Sequence, residues 1–399
     1  MFNDPRFQSR RQILDAIRKA GRIARIDLAR LQGISQATVT TVTADLIRAG
    51  LVTEVRRDEE GSQQRRGRPR VDLQLCSTAH VVAGLKIGDR SISCVLVDFE
   101  GKVIAEKTRA IRQSTYPVEE MIGQIAQALD AICAEVDLAR GDLTAIGLGI
   151  AGVVDAERGF VHWSPFFEER NIDLGRMLSK ELEQCVYIDN DANLVAVAEQ
   201  YLGCGQDISN FIVVTIENGV GMGIVINGQV YRGARGCGAE FGHTKVQLDG
   251  ALCRCGQRGC LEAYVADYAL LREASTLSLE SGGTCSRVET LLSAARAGEA
   301  MAQSIVNRSS RMFAMGLANV INLFDPQLII LSGERMQFDH LYAADVMTSI
   351  KGAIVQVDAD PPEIVVHQWG DFMWARGAAV FALGGVAETA IRNSVDRAA

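Results

Sequence analysis

Three cysteines and a histidine in one short glycine-rich stretch form the clearest chemical pattern in this sequence. They are His243, Cys253, Cys255 and Cys260, in the spacing H-x9-C-x-C-x4-C. Gly256 and Gly259 supply tight turns among the thiols. Thiolates and an imidazole are preferred ligands of tetrahedral zinc, and four of them leave no open position. The pattern predicts a structural zinc site; the alternative is a set of incidental buried thiols.

A polar segment, Asp189 to Asn193, follows a predicted buried strand at Val186–Ile188. It opens a predicted helix at Ala192–Leu202. Carboxylate and amide groups at the carboxyl end of a strand stand where α/β folds place ligand-binding residues. Asp and Asn are also favoured at helix N-caps, and taken alone the segment is more typical of a cap.

Glycines alternate from Gly219 to Gly223, between predicted strands at Phe211–Ile216 and Gly223–Ile226. Alternating glycines let a backbone approach a phosphate, and the same pattern also makes a plain hairpin. The stretch by itself does not decide between these two interpretations.

The first 50 residues predict three short helices. They span Arg10–Ala20, Arg25–Leu31 and Gln36–Ala49, with Ser35 as the N-cap of the third. Two helices joined by a glycine-containing turn form the helix-turn-helix layout. Ser35 and the outer face of the third helix offer groups that can reach base edges or phosphates, namely Gln36, Thr38, Thr40, Thr41 and Arg48. The alternative is a small helical packing module.

A basic linker, Gln63–Arg70, follows a predicted wing hairpin that begins at Leu51 and has the charged run 56–60 at its tip. Its core, Arg66, Gly67 and Arg68 before Pro69, resembles an AT-hook. A flat Gly-Pro backbone lets two arginines lie in a narrow A·T minor groove, where the negative potential is strongest. The alternative is an ordinary solvated linker.

Composition and charge indicate two unlike parts. The chain has 399 residues, 48% hydrophobic and 23% charged, which is typical of a folded protein of two or three domains. Residues 1–75 hold 15 Lys and Arg against nine Asp and Glu, whereas the whole chain has a net charge of −8. A basic head on an acidic body indicates an anion-binding module joined to something unrelated.

The sequence shows no apolar run near the roughly 18 residues of a membrane span and no signal peptide. We therefore expect a cytoplasmic protein without membrane contact. Its ten cysteines are then expected to be thiols or metal ligands.

From His80 onward, the pattern predicts an α/β body with mixed sheets. A meander of three strands, at Val81–Gly88, Ser91–Val97 and Val103–Ala105, precedes helices that alternate with strands. A similar series begins at Phe211. Two lobes with the same opening meander indicate an internal duplication around a cleft.

Together these motifs resemble the ROK family of repressors, uncharacterised frames and sugar kinases. The long ROK signature is matched at Ile216, Gly219, Gly221, Gly223, Gly233, Ala239, Gly242 and His243. The resemblance covers essentially the whole chain, because ROK repressors also carry an N-terminal winged helix-turn-helix and a Gly-Arg-Pro linker. It points to the branch related to the N-acetylglucosamine, glucose and xylose operon repressors.

The resemblance implies a two-lobed actin-like, hexokinase-like (ribonuclease H-like) fold with a sugar between the lobes. The positions that match sugar-binding residues of ROK kinases are Asn190, Asp191, Glu240, His243 and Glu262, with Gly152 in the sugar-side loop. Asp191 matches the catalytic base of the kinases. The zinc loop resembles the family's, so His243 would give one ring nitrogen to zinc and the other to a hydroxyl.

The sequence departs from the ROK kinases in three nucleotide-contacting regions. Lys86 replaces a magnesium-side carboxylate, and Asp89 and Arg90 replace Gly and Thr of the phosphate loop. Glu217 adds negative charge to the second loop, and Ser332–Glu334 replaces an adenosine-side Gly-Gly. Carboxylates repel phosphates, so we expect no kinase activity and no catalytic residues. The alternative is an active ATP-dependent ROK sugar kinase with a regulatory DNA-binding head.

These features predict a sugar-responsive transcriptional regulator, a repressor of carbohydrate genes. The expected domains are a winged helix-turn-helix with its linker at 1–75, a first lobe at 76–190 plus 378–399, and a second lobe at 191–377 with the zinc loop and a helical dimerisation region. The expected partners are an A·T-rich pseudo-palindromic DNA operator, a monosaccharide or sugar phosphate effector, and further copies in a homodimer or homotetramer. A transport-system protein partner is a further alternative.

Overall fold

The computed structural model of the chain describes residues 5–56, 71–275, 287–333, 339–341, 343–355, 360–367, 370 and 372–396. The chain forms two compact units. Unit 1 comprises Met1–Gly152, Arg158–Asp189 and Ala375–Ala399, and unit 2 comprises Val153–Glu157 and Asn190–Trp374. Among the helices that the structure describes, none combines the length and apolar character needed to cross a membrane.

The head of unit 1 is a winged helix-turn-helix. Its elements are α1 (Pro5–Ala20), β1 (Ile23–Ala24), α2 (Arg25–Gln32), α3 (Gln36–Arg48), β2 (Val52–Arg56) and β3 (Val71–Leu75). Gly33 ends α2 in the left-handed region, and Ser35 caps α3 because its Oγ accepts a hydrogen bond from Thr38 N at 3.1 Å. The three helices and this N-cap confirm the prediction, although α1 begins at Pro5 and not at Arg10.

The return strand of the wing, β3 at Val71–Leu75, lies further along the chain than the predicted hairpin with its tip at 56–60 placed it. β2 and β3 pair antiparallel, from Val52 opposite Leu75 to Arg56 opposite Val71. Residues 57–70 connect these two strands in sequence, so the segment Gln63–Arg70, predicted as a linker behind the wing, falls between β2 and β3 in chain order. Arg66, Gly67 and Arg68 themselves lie outside the described residues.

Aliphatic side chains from the three helices and the wing form the core of the head. They include Ile13, Ile17, Leu28, Val39, Leu46, Leu51 and Leu73, each with no exposed side-chain surface. Burying each such side chain contributes about 1.5–3 kcal/mol relative to leaving it in water. The apolar face of α3 therefore packs in the core, and its opposite face is exposed to solvent.

Unit 1 also contains a five-stranded mixed sheet in the order β10-β7-β4-β5-β6. Its strands are β4 (Val81–Ile87), β5 (Ser91–Asp98), β6 (Val103–Ala110), β7 (Ala145–Ile150) and β10 (Cys185–Asn190). Two short strands that are not part of this sheet lie between β7 and β10 in sequence, namely β8 (Val153–Asp155), which is in unit 2, and β9 (Phe160–Trp163). β4, β5 and β6 form an antiparallel meander, and β7 runs parallel to β4. The helices α4 (Val118–Cys133) and α5 (Leu174–Leu182) belong to the same unit.

Unit 2 repeats this arrangement. Its sheet has the order β13-β12-β11-β14-β15, made of β11 (Phe211–Ile216), β12 (Val220–Ile226), β13 (Gln229–Val230), β14 (Leu328–Ser332) and β15 (Glu363–Val366). The first three strands are an antiparallel meander and β14 is parallel to β11. When strands are numbered within each five-stranded sheet, both sheets have the order 3-2-1-4-5, which confirms the predicted duplication.

Helices complete unit 2. They are α6 (Asp191–Leu202), α7 (Glu262–Val265), α8 (Asp267–Ala274), α9 (Val288–Arg296), α10 (Ala300–Phe324) and α11 (Ala344–Ala353), and α12 (Met373–Asp396) runs mostly in unit 1. Phe313 and Leu317 of α10 share one buried core with Ile212 and Val214 of β11. The sequence pattern predicts helices at 117–136, 192–202, 288–297, 302–322 and 376–386, which correspond to α4, α6, α9, α10 and α12. It predicts no helix at α5, α7, α8 or α11.

Helix α12 lies directly on the first sheet at a strand glycine. A Cβ at Gly147 of β7 would stand 1.9 Å from the backbone oxygen of Ala378, which cannot rotate away. We expect Gly147→Ala to lower the free energy of unfolding by about 3 kcal/mol and to reduce the melting temperature. Gly123→Ala on α4, where no atom lies within 4 Å of the new Cβ, is the matched control and should preserve or raise stability. Equal melting temperatures for the two variants would contradict this packing.

Candidate functional site

The four side chains predicted as zinc ligands come together in unit 2. The Sγ atoms of Cys255 and Cys260 are 3.8 Å apart, and Sγ of Cys253 is 3.7 Å from Nδ1 of His243. All four ligand atoms lie within 4.8 Å of one another. Ligands held at about 2.3 Å from a tetrahedral zinc ion are separated by about 3.8 Å. The cluster therefore has the ligand types and the spacing to hold a metal ion.

Lys245 supplies positive charge at this cluster. Its Nζ donates hydrogen bonds to Sγ of Cys260 at 2.8 Å and to Oε1 of Gln257 at 2.6 Å. The bond to Cys260 raises the pKa of the Lys245 amino group. A divalent ion with three thiolates carries one net negative charge, which a neighbouring ammonium group offsets.

The thiol of Cys253 is protonated at neutral pH in the metal-free chain. Burial raises its pKa to about 12. A thiol must lose its proton to bind a metal, so loading of the cluster would release protons and become tighter as the pH rises.

Four of the predicted sugar-binding residues lie close together beside the metal cluster. The pKa of Glu240 reflects this arrangement. Burial raises it most, and the carboxylates of Asp191 and Glu262 raise it further. The nearby His243 lowers the same pKa. Several carboxylates around one imidazole provide paired acceptors of the kind that sugar hydroxyls need.

The start of α6 fixes the position of Asp191. Oδ1 of Asn190 and Oδ1 of Asp191 both accept hydrogen bonds from Ala192 N at 2.9 Å. The N-cap interpretation is therefore correct for Asn190. The cap orders the first turn of the helix, which carries Asp191 close to Glu240.

The glycine stretch forms a tight hairpin between β11 and β12, in which Glu217 N donates to Gly219 O at 2.9 Å. A Cβ at Gly223 would stand 2.6 Å from the backbone oxygen of Ala192, so glycine allows the first turn of α6 to pack on β12. Val220 N also donates to Oε2 of Glu262 at 3.4 Å. The glycine stretch therefore forms the plain hairpin that was one of its two interpretations. The hairpin helps to position the carboxylates of Asp191 and Glu262.

Tyr268 on α8 links the metal cluster to the carboxylates, and the sequence did not single it out. Its hydroxyl donates to Oε1 of Glu262 at 3.2 Å and lies 3.6 Å from Sγ of Cys253. The guanidinium of Arg254 stacks over its ring, 4.0 Å from the centroid. An aromatic residue on a short helix is too common to be informative, so only the fold reveals this contact.

Gly152 belongs to unit 1, directly after β7, with a positive φ of 126°. A Cβ there would stand 2.2 Å from the backbone oxygen of Trp163, so only glycine fits. It is not among the residues that unit 2 brings together, and its predicted contact with a sugar stays a prediction.

The residues predicted to disfavour ATP lie at strand ends and turns. Lys86 is on β4 opposite Ser93, and Asp89 and Arg90 form the turn into β5. Glu217 lies in the hairpin after β11, and Glu334 lies outside the described residues. Their effect on nucleotide binding stays a prediction.

The predicted DNA-binding face of α3 is open to solvent. Ser35, Gln36, Thr38, Thr40, Thr41 and Arg48 are all exposed. The Thr40 hydroxyl donates to Gln36 O at 2.8 Å and the Thr41 hydroxyl to Ala37 O at 3.1 Å, which leaves the lone pairs of both oxygens available. Asp45, the acidic residue near this face, forms ion pairs with Arg10 and Arg48.

The fold and the site together define a DNA-binding head joined to a duplicated α/β body of the sugar-kinase type. Residues 6–53 match the winged helix-turn-helix DNA-binding family. Residues 82–384 match the ROK family, so the chain belongs to that family.

Similar proteins include both regulators and kinases. The DNA-binding transcriptional dual regulator NagC of Escherichia coli (strain K12) is 31% identical over 328 residues, which cover 80% of this chain and 78% of NagC. The crystal structure of a ROK family transcriptional regulator, a homolog of the E. coli Mlc protein, has a TM-score of 0.79 at 25% identity and covers 98% of both chains. A ROK family glucokinase from Streptomyces griseus, in complex with glucose and AMPPNP, has a TM-score of 0.62 at 30% identity and covers 76% of this chain and 99% of its own.

Proposed function

We propose that this protein is a sugar-responsive transcriptional repressor of carbohydrate genes. The observation that carries the proposal is one chain holding both an exposed α3 on a winged helix-turn-helix and a cluster of sugar-type acceptors in a ROK body. The similarity to NagC over 80% of the chain and to the Mlc homolog over 98% of it supports the proposal.

The head would bind an operator through two grooves. α3 would enter the major groove, where Gln36, Thr38 and Thr41 read base edges, while Ser35 and Thr40 contact phosphates. Arg66 and Arg68, in the connection between the two wing strands, would enter the adjacent A·T-rich minor groove. A homodimer or homotetramer would present two heads to a pseudo-palindrome.

The body would bind a monosaccharide or sugar phosphate. Asn190, Asp191, Glu240, His243 and Glu262 would hold hydroxyls, with Gly152 in the sugar-side loop. The His243 and cysteine cluster would hold a structural zinc ion. With Nδ1 of His243 on the metal side, Nε2 would be left to face a hydroxyl.

The sugar would act by linkage between two sites. It must bind the DNA-incompetent state more tightly, and each tenfold loss of operator affinity requires about 1.4 kcal/mol of differential binding. A screen of monosaccharides and their 6-phosphates by thermal shift identifies the effector, because a ligand that binds only the folded state raises the melting temperature.

A ROK kinase with a regulatory head is the second candidate, favoured by the similarity to the glucokinase. The charges of Lys86, Asp89 and Glu217 argue against this candidate, because Lys86 replaces a magnesium-side carboxylate and the two carboxylates repel phosphates. Incubation with labelled ATP and the identified sugar decides between the two. Phosphoryl transfer that disappears in Asp191→Asn would overturn the assignment as a non-enzyme.

We expect the double variant Gln36→Ala/Thr41→Ala to lower operator affinity about 100-fold, because each lost base contact costs about 1–3 kcal/mol. Non-specific binding at low salt should change little, since phosphate contacts remain. Glu119→Ala, exposed on α4, is the control. Equal losses on operator and random DNA, measured by fluorescence anisotropy, would reject base readout by α3.

Arg68→Ala tests the wing separately. We expect a larger loss on A·T-flanked operators than on G·C-flanked ones, because the narrow A·T minor groove attracts the arginine. Equal losses on both operators would exclude minor-groove readout.

Tyr268→Phe tests the link between the metal and sugar sets. Glu262 loses one hydrogen bond worth about 1 kcal/mol, so sugar affinity should fall about fivefold while zinc content stays unchanged. Calorimetry gives the affinity and elemental analysis gives the zinc. Tyr231→Phe, at a tyrosine 47% exposed in the same unit, is the matched control. Unchanged sugar affinity in Tyr268→Phe would exclude the positioning role.

A further inference from the structure

A second group of metal-binding side chains meets at the other end of α6. Glu199 lies on α6, Cys204 follows in the loop after it, and His367 comes directly after β15. One ligand atom from each lies within 4.8 Å of the other two. Nδ1 of His367 is 2.7 Å from Oε1 and 2.9 Å from Oε2 of Glu199. The fold thus brings His367 to Glu199 and Cys204, which lie five residues apart at the end of α6.

The loop after α6 is built around the carboxylate of Glu199. That side chain has no exposed surface, and its Oε2 accepts a hydrogen bond from Cys204 N at 2.9 Å. A Cβ at Gly203 would stand 2.0 Å from the same oxygen, so the backbone closes on the carboxylate. This carboxylate already pairs with His367, and a bound cation would offset its buried negative charge further.

The other two ligands give an ion access from solvent. The Cys204 residue is exposed, and the His367 side chain is 30% exposed.

We propose that Glu199, Cys204 and His367 form a second metal site, for a divalent ion of the zinc and cobalt class. A thiolate, an imidazole and a carboxylate together suit these borderline metals, and calcium and magnesium prefer oxygen ligands alone. Three protein ligands leave a fourth position for water, unlike the four-ligand cluster at His243. The simple alternative is a histidine–carboxylate hydrogen bond with a thiol nearby.

A metal ion at this site would connect two segments of unit 2. α6 carries Asp191 in its first turn and Glu199 eight residues later, about 12 Å along the helix. An ion at this site would join the end of α6 to the segment after β15. Metal binding at this site does not depend on which sugar the protein binds.

Cobalt titration of the full-length chain tests the site. After removal of metals with a chelator, Co²⁺ is added and followed by its absorption bands and by competition with a coloured chelator. The wild-type chain should bind two equivalents. Cys204→Ser and His367→Ala should each bind one, and Cys255→Ser should lose the other equivalent. The double variant Cys255→Ser/His367→Ala should bind none.

The controls separate this site from the first one and from misfolding. Cys237→Ser, at a cysteine of the same unit outside both clusters, should still bind two equivalents. Circular dichroism of each variant confirms that it is folded, and Glu199 itself is left unchanged because its carboxylate holds the loop. A wild-type chain that binds one equivalent overturns the proposal. So does a His367→Ala or Cys204→Ser variant that retains two.

Discussion

Replacement of Cys255 by serine is expected to empty the metal cluster at His243 and to abolish the response to sugar. Serine oxygen is a poor zinc ligand, and loss of one of four ligands from a closed site removes most of the binding free energy, which is about 10–16 kcal/mol in structural zinc sites. Cys253 contacts Glu262 at 3.5 Å and Tyr268 at 3.6 Å, so a loosened cluster also releases these side chains.

The readouts for Cys255→Ser are zinc content, melting temperature and operator binding with and without sugar. We expect loss of zinc from this cluster, a lower melting temperature and operator binding that no longer changes with sugar. Cys185→Ser, at an exposed cysteine in unit 1, is the matched control. A full sugar response in zinc-free Cys255→Ser would show that the metal and the sugar set are independent.

Asp191→Ala is expected to reduce sugar affinity about 100-fold. A carboxylate that accepts two hydroxyl groups contributes roughly 1.5–3 kcal/mol for each hydrogen bond, and the remaining carboxylates cannot move into its place because α6 and the hairpin are fixed. Operator binding without sugar should remain, since Asp191 is in unit 2 and the head is in unit 1.

Calorimetry with the sugar found in the thermal-shift screen measures this loss. Asp207→Ala, at an exposed carboxylate in the loop between α6 and β11, is the control and should bind sugar as the wild type does. An unchanged sugar affinity in Asp191→Ala would show that Asp191 does not bind the sugar. The match between this chain's residues and the sugar-binding residues of the ROK kinases would then not hold.

Local sequence patterns were sufficient for the three helices of the head and for the opening strands of both sheets of the body. Ser35 and Gly33 mark the ends of two helices through groups in their own immediate neighbourhood, and the structure confirms both. The clustering of His243, Cys253, Cys255 and Cys260 was predicted for the same reason, because a loop of 18 residues is a local feature. The strand β3 was not placed from the sequence because it follows the basic segment Gln63–Arg70, which was interpreted as a linker behind the wing.

What the sequence determined by itself is the set of chemical groups and the order of elements: a basic helix-turn-helix, a duplicated α/β body, and a cysteine–histidine loop. Only the tertiary structure brought Tyr268 to Glu262 and Cys253, and His367 to Glu199 across 168 positions. The physical reason is that periodicity reports which face of an element is buried. Contacts between side chains on different elements depend on how those buried faces pack together.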